Sequence, residues 1–178
     1  METIECIKTR RSIRRFTDQP VSDEVLKEIL EAVRWAPSWR NTQCWRIIVV
    51  KDPSIKASLS QLLSENNPAT KGVQEAPLLL VLCAQLGISG YTEKGPAGNK
   101  GDWFMFDAAL AAHALGLGTV HVGNIKHAEV DKLLGLPEDI VSVEIIPLGY
   151  PAQTPDPRPR KEIPEFVFLD RYGQSLDI

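Results

Sequence analysis

Pro77-Leu78-Leu79-Leu80-Val81-Leu82-Cys83 is the apolar run on which the reading of the fold turns. It is far too short to span a bilayer. It lacks polar alternation, so it fits a strand buried on both faces, with proline tolerated at the first position. Three other stretches share its character: Ile47-Ile48-Val49-Val50, Thr119-Val120-His121-Val122, and Val141 to Ile146, which runs on into Leu148-Gly149-Tyr150-Pro151. Four such strands make a central sheet that helices must cover.

The helices are legible between the strands. Residues 2–9 fit a short helix with Ile4 and Ile7 on one side. Ser22 caps a longer one, with Asp23 and Glu24 against the helix dipole and Val25, Leu26, Ile29, Leu30 and Val33 at helical spacing until Pro37. Ser54 is the expected cap of a third helix reaching about Leu63. Asp102 is the expected cap of a fourth, through the Ala-rich stretch to Leu115, apolar nearly all round and closed by Gly116. A fifth runs from about Ala128 to Leu134 and ends at Gly135. The proline-rich tail from Pro151 to Pro164 is extended, and Phe166, Val167, Phe168 and Leu169 after it call for burial. This interleaving places the chain in the α/β or α+β class, as one domain over residues 1–178.

Composition narrows the function. Hydrophobic content of 43% and charged content of 24% over 178 residues are those of an ordinary globular protein. A net charge of −3 argues against a nucleic-acid binder. Cys6, Cys44 and Cys83 are odd in number and show no CxxC spacing, which reads as reduced packing thiols and a cytoplasmic protein without a secretory leader. The histidines have no metal-ligand spacing, and GxSxG, HExxH and P-loop signatures are missing.

Two constellations carry chemistry. Lys8, Arg10, Arg11, Arg14 and Arg15 crowd one short stretch around Ser12, and Arg158-Pro159-Arg160-Lys161 forms a smaller basic cluster near the other end. Guanidinium groups match phosphate oxygens, so the clusters suit an anion shared between them; a solvated charged face fits the composition equally. The second constellation is Pro37-Ser38-Trp39-Arg40-Asn41-Thr42-Gln43-Cys44-Trp45. Asn41 and Gln43 each offer a donor and an acceptor for the edge of a planar heterocycle, and Trp39 and Trp45 offer stacking surface; an aromatic-anchored loop serving only its own backbone fits as well.

Arg10-Arg11-Ser12-Ile13-Arg14-Arg15-Phe16 resembles the N-terminal signature of the FMN-dependent nitroreductase family. Ala36-Pro37-Ser38 through Asn41-x-Gln43-x-Trp45, the stretch Asp107 to Gly118, and Leu148-Gly149-Tyr150-Pro151 followed by Arg158-x-Arg160 are similar to the motifs that follow, in order and over nearly the whole chain. The resemblance implies an α+β fold with a central, mostly antiparallel sheet flanked by helices, and a homodimer with an exchanged C-terminal tail and two FMN sites at the subunit interface. It implies that Arg10, Arg11, Ser12 and Arg14 hold the FMN phosphate and ribityl chain, completed by Arg158 and Arg160. Asn41, with Gln43 in the same motif, would meet the polar edge of the isoalloxazine, and Ser38 and Trp39 would reach it from the partner subunit. His121, Val122 and Gly123 would stand near flavin N5. No side chain is assigned a catalytic step. Hydride from NADH or NADPH would pass through N5 to a nitroaromatic, quinone or related electrophile by ping-pong exchange, with Trp39 and Tyr91 of the Gly-rich 85–101 segment shaping the acceptor pocket. Relatives that fragment flavin, dehalogenate or dehydrogenate supply one alternative, and a non-enzymatic anion-binding module supplies another. Cys44 stands where the family usually has proline, and His121 where it often has a bulky apolar or aromatic residue; a packing thiol is favoured over a redox one, and a satisfied polar histidine over one that tunes the flavin or shapes the pocket.

Overall fold

The computed structural model describes residues 1–87 and 106–176. Its helices are α1 (Thr3–Thr9), α2 (Asp23–Arg34), α3 (Pro53–Gln61), α4 (Thr70–Glu75), α5 (Phe106–Ala114) and α6 (His127–Leu134). The strands are β1 (Trp45–Val50), β2 (Leu78–Gln85), β3 (Gly118–Thr119) and β4 (Ile140–Gly149), in the order β1-β2-β4-β3 with every pairing antiparallel. The α+β reading holds.

β2 is central, and its apolar run is divided between two cores. Leu78, Leu80 and Leu82 pack with Ile29 and Val33 of α2, Ala108 and Ala112 of α5, and Ile146 and Leu148 of β4. Leu79, Val81 and Cys83 face the other way, toward Leu59 of α3, Val73 of α4, Val130 of α6 and Ile145. Alternate residues of a strand point to opposite faces, so a sheet with helices on both sides needs an uninterrupted apolar strand. Small side chains at Ala108 and Ala112 let α5 lie close to the sheet. All three cysteines are buried and none is in a disulfide, and burial pushes the Cys83 thiol up to about 12. Among the described residues no helix is long and apolar enough to cross a membrane.

Three expectations are corrected. The cap of α3 is Asp52, whose carboxylate accepts from the backbone N–H groups of Ser54 and Ile55, because Pro53 already occupies the first turn. The strand expected over residues 119–122 stops at Thr119. Pairing resumes at Val122 with Ile145 in the same register, with both N–H···O distances 3.0 Å. In that register Pro147 stands opposite Val120 and has no N–H to give, so the ladder breaks there. Phe166 and Leu169 remain 56% and 47% exposed, so the chain itself does not bury them. The expected cap at Asp102 lies outside the described residues.

The arginine-bearing segment runs extended along the free side of β3. Ile13 N–H donates to Thr119 O at 2.8 Å, Thr17 N–H to Tyr150 O at 2.9 Å, and Ala152 N–H to Arg15 O at 3.0 Å. Two glycines make room for it. A Cβ on Gly118 would stand 2.7 Å from Ile13 Cβ, and one on Gly72 would stand 2.8 Å from Arg14 O. In an exposed helix Gly72→Ala would stabilise by about 1 kcal/mol. Here the overlap with backbone dominates, and the substitution should destabilise by about 1–3 kcal/mol in chemical denaturation.

Candidate functional site

The arginine cluster begins where α1 ends. Arg10 closes that helix, its N–H donating to Cys6 O, and the residues after it follow β3. Arg15 takes an ordinary surface role, its NH1 lying 3.7 Å from Glu75. Arg11 turns back, its NH1 donating to the carbonyls of Lys8 and Arg10 at 2.8 and 2.9 Å. Arg10 NH1 and Arg14 Nε differ from both: each is buried and, among the described residues, has no hydrogen-bond partner. A buried donor left unsatisfied costs on the order of 1–3 kcal/mol, more when charged. Two such nitrogens on one basic segment are candidate donors to a ligand's oxygens.

The second basic cluster reaches the same place. The Arg10 guanidinium is held below its ordinary pKa by burial first, then by the charges of Arg11 and Arg160, with Cys6 acting weakly in the opposite direction. Arg160 arrives on the extended tail, which is pinned to the cluster where Pro151 bridges Phe16. Arg158 is two residues away and exposed, its carbonyl 3.3 Å from Arg160 NH1. Among the described residues no carboxylate is named as acting on Arg10, and like charges gathered in this way suit an anion.

His121, Val122 and Gly123 follow β3 along the same edge. Val122 is buried in the core, whereas Gly123 is exposed with open space where a side chain would be. His121 Nδ1 lies 2.8 Å from Glu144 Oε1, and Glu144 is buried. Glu144 follows an irregularity at which Val143 has no partner on β2, since Leu82 pairs with Glu144 and Cys83 with Ser142. Such a bulge re-aims neighbouring side chains. His121 thus has a built polar partner, as its structural reading expects. Cys44 is fully buried between α2 and the sheet, which agrees with a packing role.

The loop before β1 lies at the opposite edge of the sheet. Ser38 Oγ accepts from Gln43 N–H at 2.9 Å, and Asn41 and Gln43 are exposed. Arg40, Asn41 and Gln43 adopt φ of 49°, 56° and 50°. Non-glycine residues in this left-handed region cost about 1–2 kcal/mol each. Such strain clusters where a loop must present particular groups. With β1 and β3 at the two edges, three inter-strand steps of about 4.8 Å separate this loop from the arginines. One chain does not bring the two constellations side by side. Tyr91 lies outside the described residues.

Two neighbours of the arginines escape sequence reading. His113 and Thr9 meet at 2.9 Å beside Arg10 and Arg11. A lone histidine on an Ala-rich helix carries no motif, and only the packing of α1 on α5 reveals it. A cavity of about 430 Å³ lies farther along these helices, lined by apolar groups such as Ile7, Trp35 and Leu110 with Asp107 at the start of α5. It runs along α5 from Asp107 to Ala114.

Comparison with known proteins agrees with this geometry. Residues 7–150 match the model of the Nitroreductase family. The chain is 34% identical to an NADPH-flavin oxidoreductase of Vibrio harveyi, over 99% of this chain and 76% of that one. It is 32% identical to an oxygen-insensitive NADPH nitroreductase of Salmonella typhimurium, over 98% and 76%. The crystal structure of the NADPH:FMN oxidoreductase from Vibrio harveyi complexed with NAD+ superposes with a TM-score of 0.79 at 31% identity, covering 98% of this chain and 79% of that one.

The orphaned guanidinium nitrogens set an expectation. Arg10→Ala and Arg14→Ala should each weaken binding of a phosphate monoester about tenfold or more in calorimetric titration, the loss of one charged hydrogen bond. Arg15→Ala, which breaks only an exposed ion pair with Glu75, should leave that affinity within about twofold.

Proposed function

The chain belongs to the nitroreductase family, and on that footing we propose that it is an FMN-dependent oxidoreductase. It draws on NADH or NADPH and reduces nitroaromatic, quinone or related electrophilic small molecules in the cytoplasm. The observation that carries this reading is the pair of buried, partnerless nitrogens on Arg10 and Arg14, with Arg160 drawn to Arg10. A phosphate ester supplies the oxygens those donors lack and the charge that relieves their repulsion. The residues present therefore fit the group.

Arg10, Ser12 and Arg14, with Arg158 and Arg160, hold the FMN phosphate and ribityl chain. Arg11, whose guanidinium serves its own backbone, contributes charge more than contact. Asn41 and Gln43 read the polar edge of the isoalloxazine. Ser38 and Trp39 of the partner subunit close over it. His121, Val122 and Gly123 border the ring near N5, and Trp39 and Tyr91 shape the space left for the acceptor. Bound FMN supplies hydride transfer, and the chain supplies position and electrostatics. Reductant and acceptor then take turns in one space, the basis for ping-pong kinetics.

The sheet geometry and the exposed apolar groups support a homodimer. The Ser38–Gln43 loop and the arginines stand at opposite edges, so a second copy is the simplest source of a loop for each phosphate site. Ile4, Ile7 and Trp35 are 62%, 52% and 77% exposed, and Phe166, Leu169 and Tyr172 on the tail are exposed too. Apolar surface gathered in this way marks an interface.

Purified protein should be yellow, with flavin absorbance that bleaches on anaerobic addition of NADH or NADPH. Colourless protein that FMN cannot reconstitute would overturn the proposal. Sedimentation should give twice the chain mass, and a monomer at micromolar concentration would remove the shared-site model.

A further inference from the structure

His113 stands in the last turn of α5, where the oxidoreductase reading gives it no task. Its Nε2 is 2.9 Å from Thr9 Oγ1, and the same hydroxyl oxygen is 2.7 Å from the carbonyl of Glu5. A hydroxyl has one proton, and a carbonyl only accepts. The Thr9 proton therefore goes to Glu5, and the hydroxyl oxygen receives an N–H from His113. The network assigns the proton of the neutral ring to Nε2.

The surroundings of this ring are unusual for a histidine. Burial, then Arg10, then Arg11 hold its pKa below the ordinary 6.5. Both guanidinium groups lie on the segment that leaves α1, the helix that carries Thr9. α1 also meets α5 where Cys6 Sγ approaches the Leu110 carbonyl at 3.4 Å. α2, β2, β4 and the residues leading into β3 join it in an apolar core that includes Ile29, Leu80, Ile146 and Leu117. Among the described residues, the charges acting on His113 are thus those of Arg10 and Arg11.

We propose that His113, acting through Thr9, is a positioning residue of the anion site whose protonation is coupled to FMN binding. The proposal rests on the reading of Arg10 to Arg14 as the phosphate site. Neutral or protonated, the ring keeps donating Nε2–H to Thr9, so the end of α1 that presents Arg10 and Arg11 stays in place. Only the charge changes. A phosphate seated among the arginines cancels the repulsion that keeps the ring neutral, and the ring takes up a proton from solvent more readily. By reciprocity, protonated His113 holds the phosphate more tightly. The gain in affinity is lost as pH rises through the pKa of the complex and is fully present below the lowered pKa of the free protein.

The FMN phosphate itself loses charge near pH 6, so wild-type binding alone mixes two titrations. His113→Gln separates them, because its amide can donate to Thr9 without titrating. Flavin-free, full-length wild type and His113→Gln are titrated with FMN, and with riboflavin as the phosphate-free control, by flavin fluorescence between roughly pH 5 and 8. The ratio of wild-type to variant FMN affinity should be near unity at the alkaline end and rise to about fivefold at the acid end. A ratio constant across the range overturns the proposal. FMN binding no tighter than riboflavin overturns the phosphate reading as well, whereas a strong FMN preference with a flat ratio sinks only the role of His113. The C2-proton resonance of His113 in wild type gives a second measurement that needs no variant. Its titration midpoint should move to higher pH on saturation with FMN, and an unmoved midpoint overturns the coupling.

Discussion

The molecule depends on how closely the backbone of residues 12–17 lies against the sheet. Three backbone hydrogen bonds, from Ile13, Thr17 and Ala152, fasten this segment to β3 and to the end of β4. Side chains would prevent the approach at Gly72 and Gly118, where a Cβ would meet Arg14 O and Ile13 Cβ. The arginines are therefore not a flexible basic tail. They are held on the edge of a sheet whose central strand is buried along nearly its whole length, which fixes where the candidate anion-binding groups lie.

That rigidity has an electrostatic cost. Arg10 and Arg14 keep donors buried without partners, and Arg10 shares its surroundings with Arg11 and Arg160. A free chain would turn such groups out to water. The two packed cores, with β2 at their centre, supply the stability that holds them together. The strained loop at Arg40, Asn41 and Gln43 obeys the same logic at the other edge of the sheet. Both candidate constellations carry such departures from local rules, which also occur at Asn66 and Asp170.

Much of this was legible in the chain and some was not. The apolar run of β2, the Ser22 cap and the glycine ends of α5 and α6 follow from periodicity and turn chemistry. The Asp52 cap was missed because Ser54 fits the same pattern two residues later, and only the position of Pro53 decides between them. β3 was read too long because apolar content does not reveal that its partner position is Pro147. Phe166 and Leu169 signal burial by their apolar character, yet both remain exposed on the tail.

By itself, the sequence determined the class of fold and, through the resemblance its motifs carry, the family; it also singled out the candidate anion-binding residues. Only the tertiary structure decided which arginines matter. Arg15 is satisfied by Glu75 and Arg11 by its own backbone, whereas Arg10 and Arg14 are left with buried donors and Arg160 is brought in from 150 residues away. The same packing put His113 beside Thr9 and separated the Asn41 loop from the arginines by the width of the sheet. Partnering and separation are properties of folded space, and a basic cluster reads the same along the chain whether its charges are satisfied or waiting for a ligand.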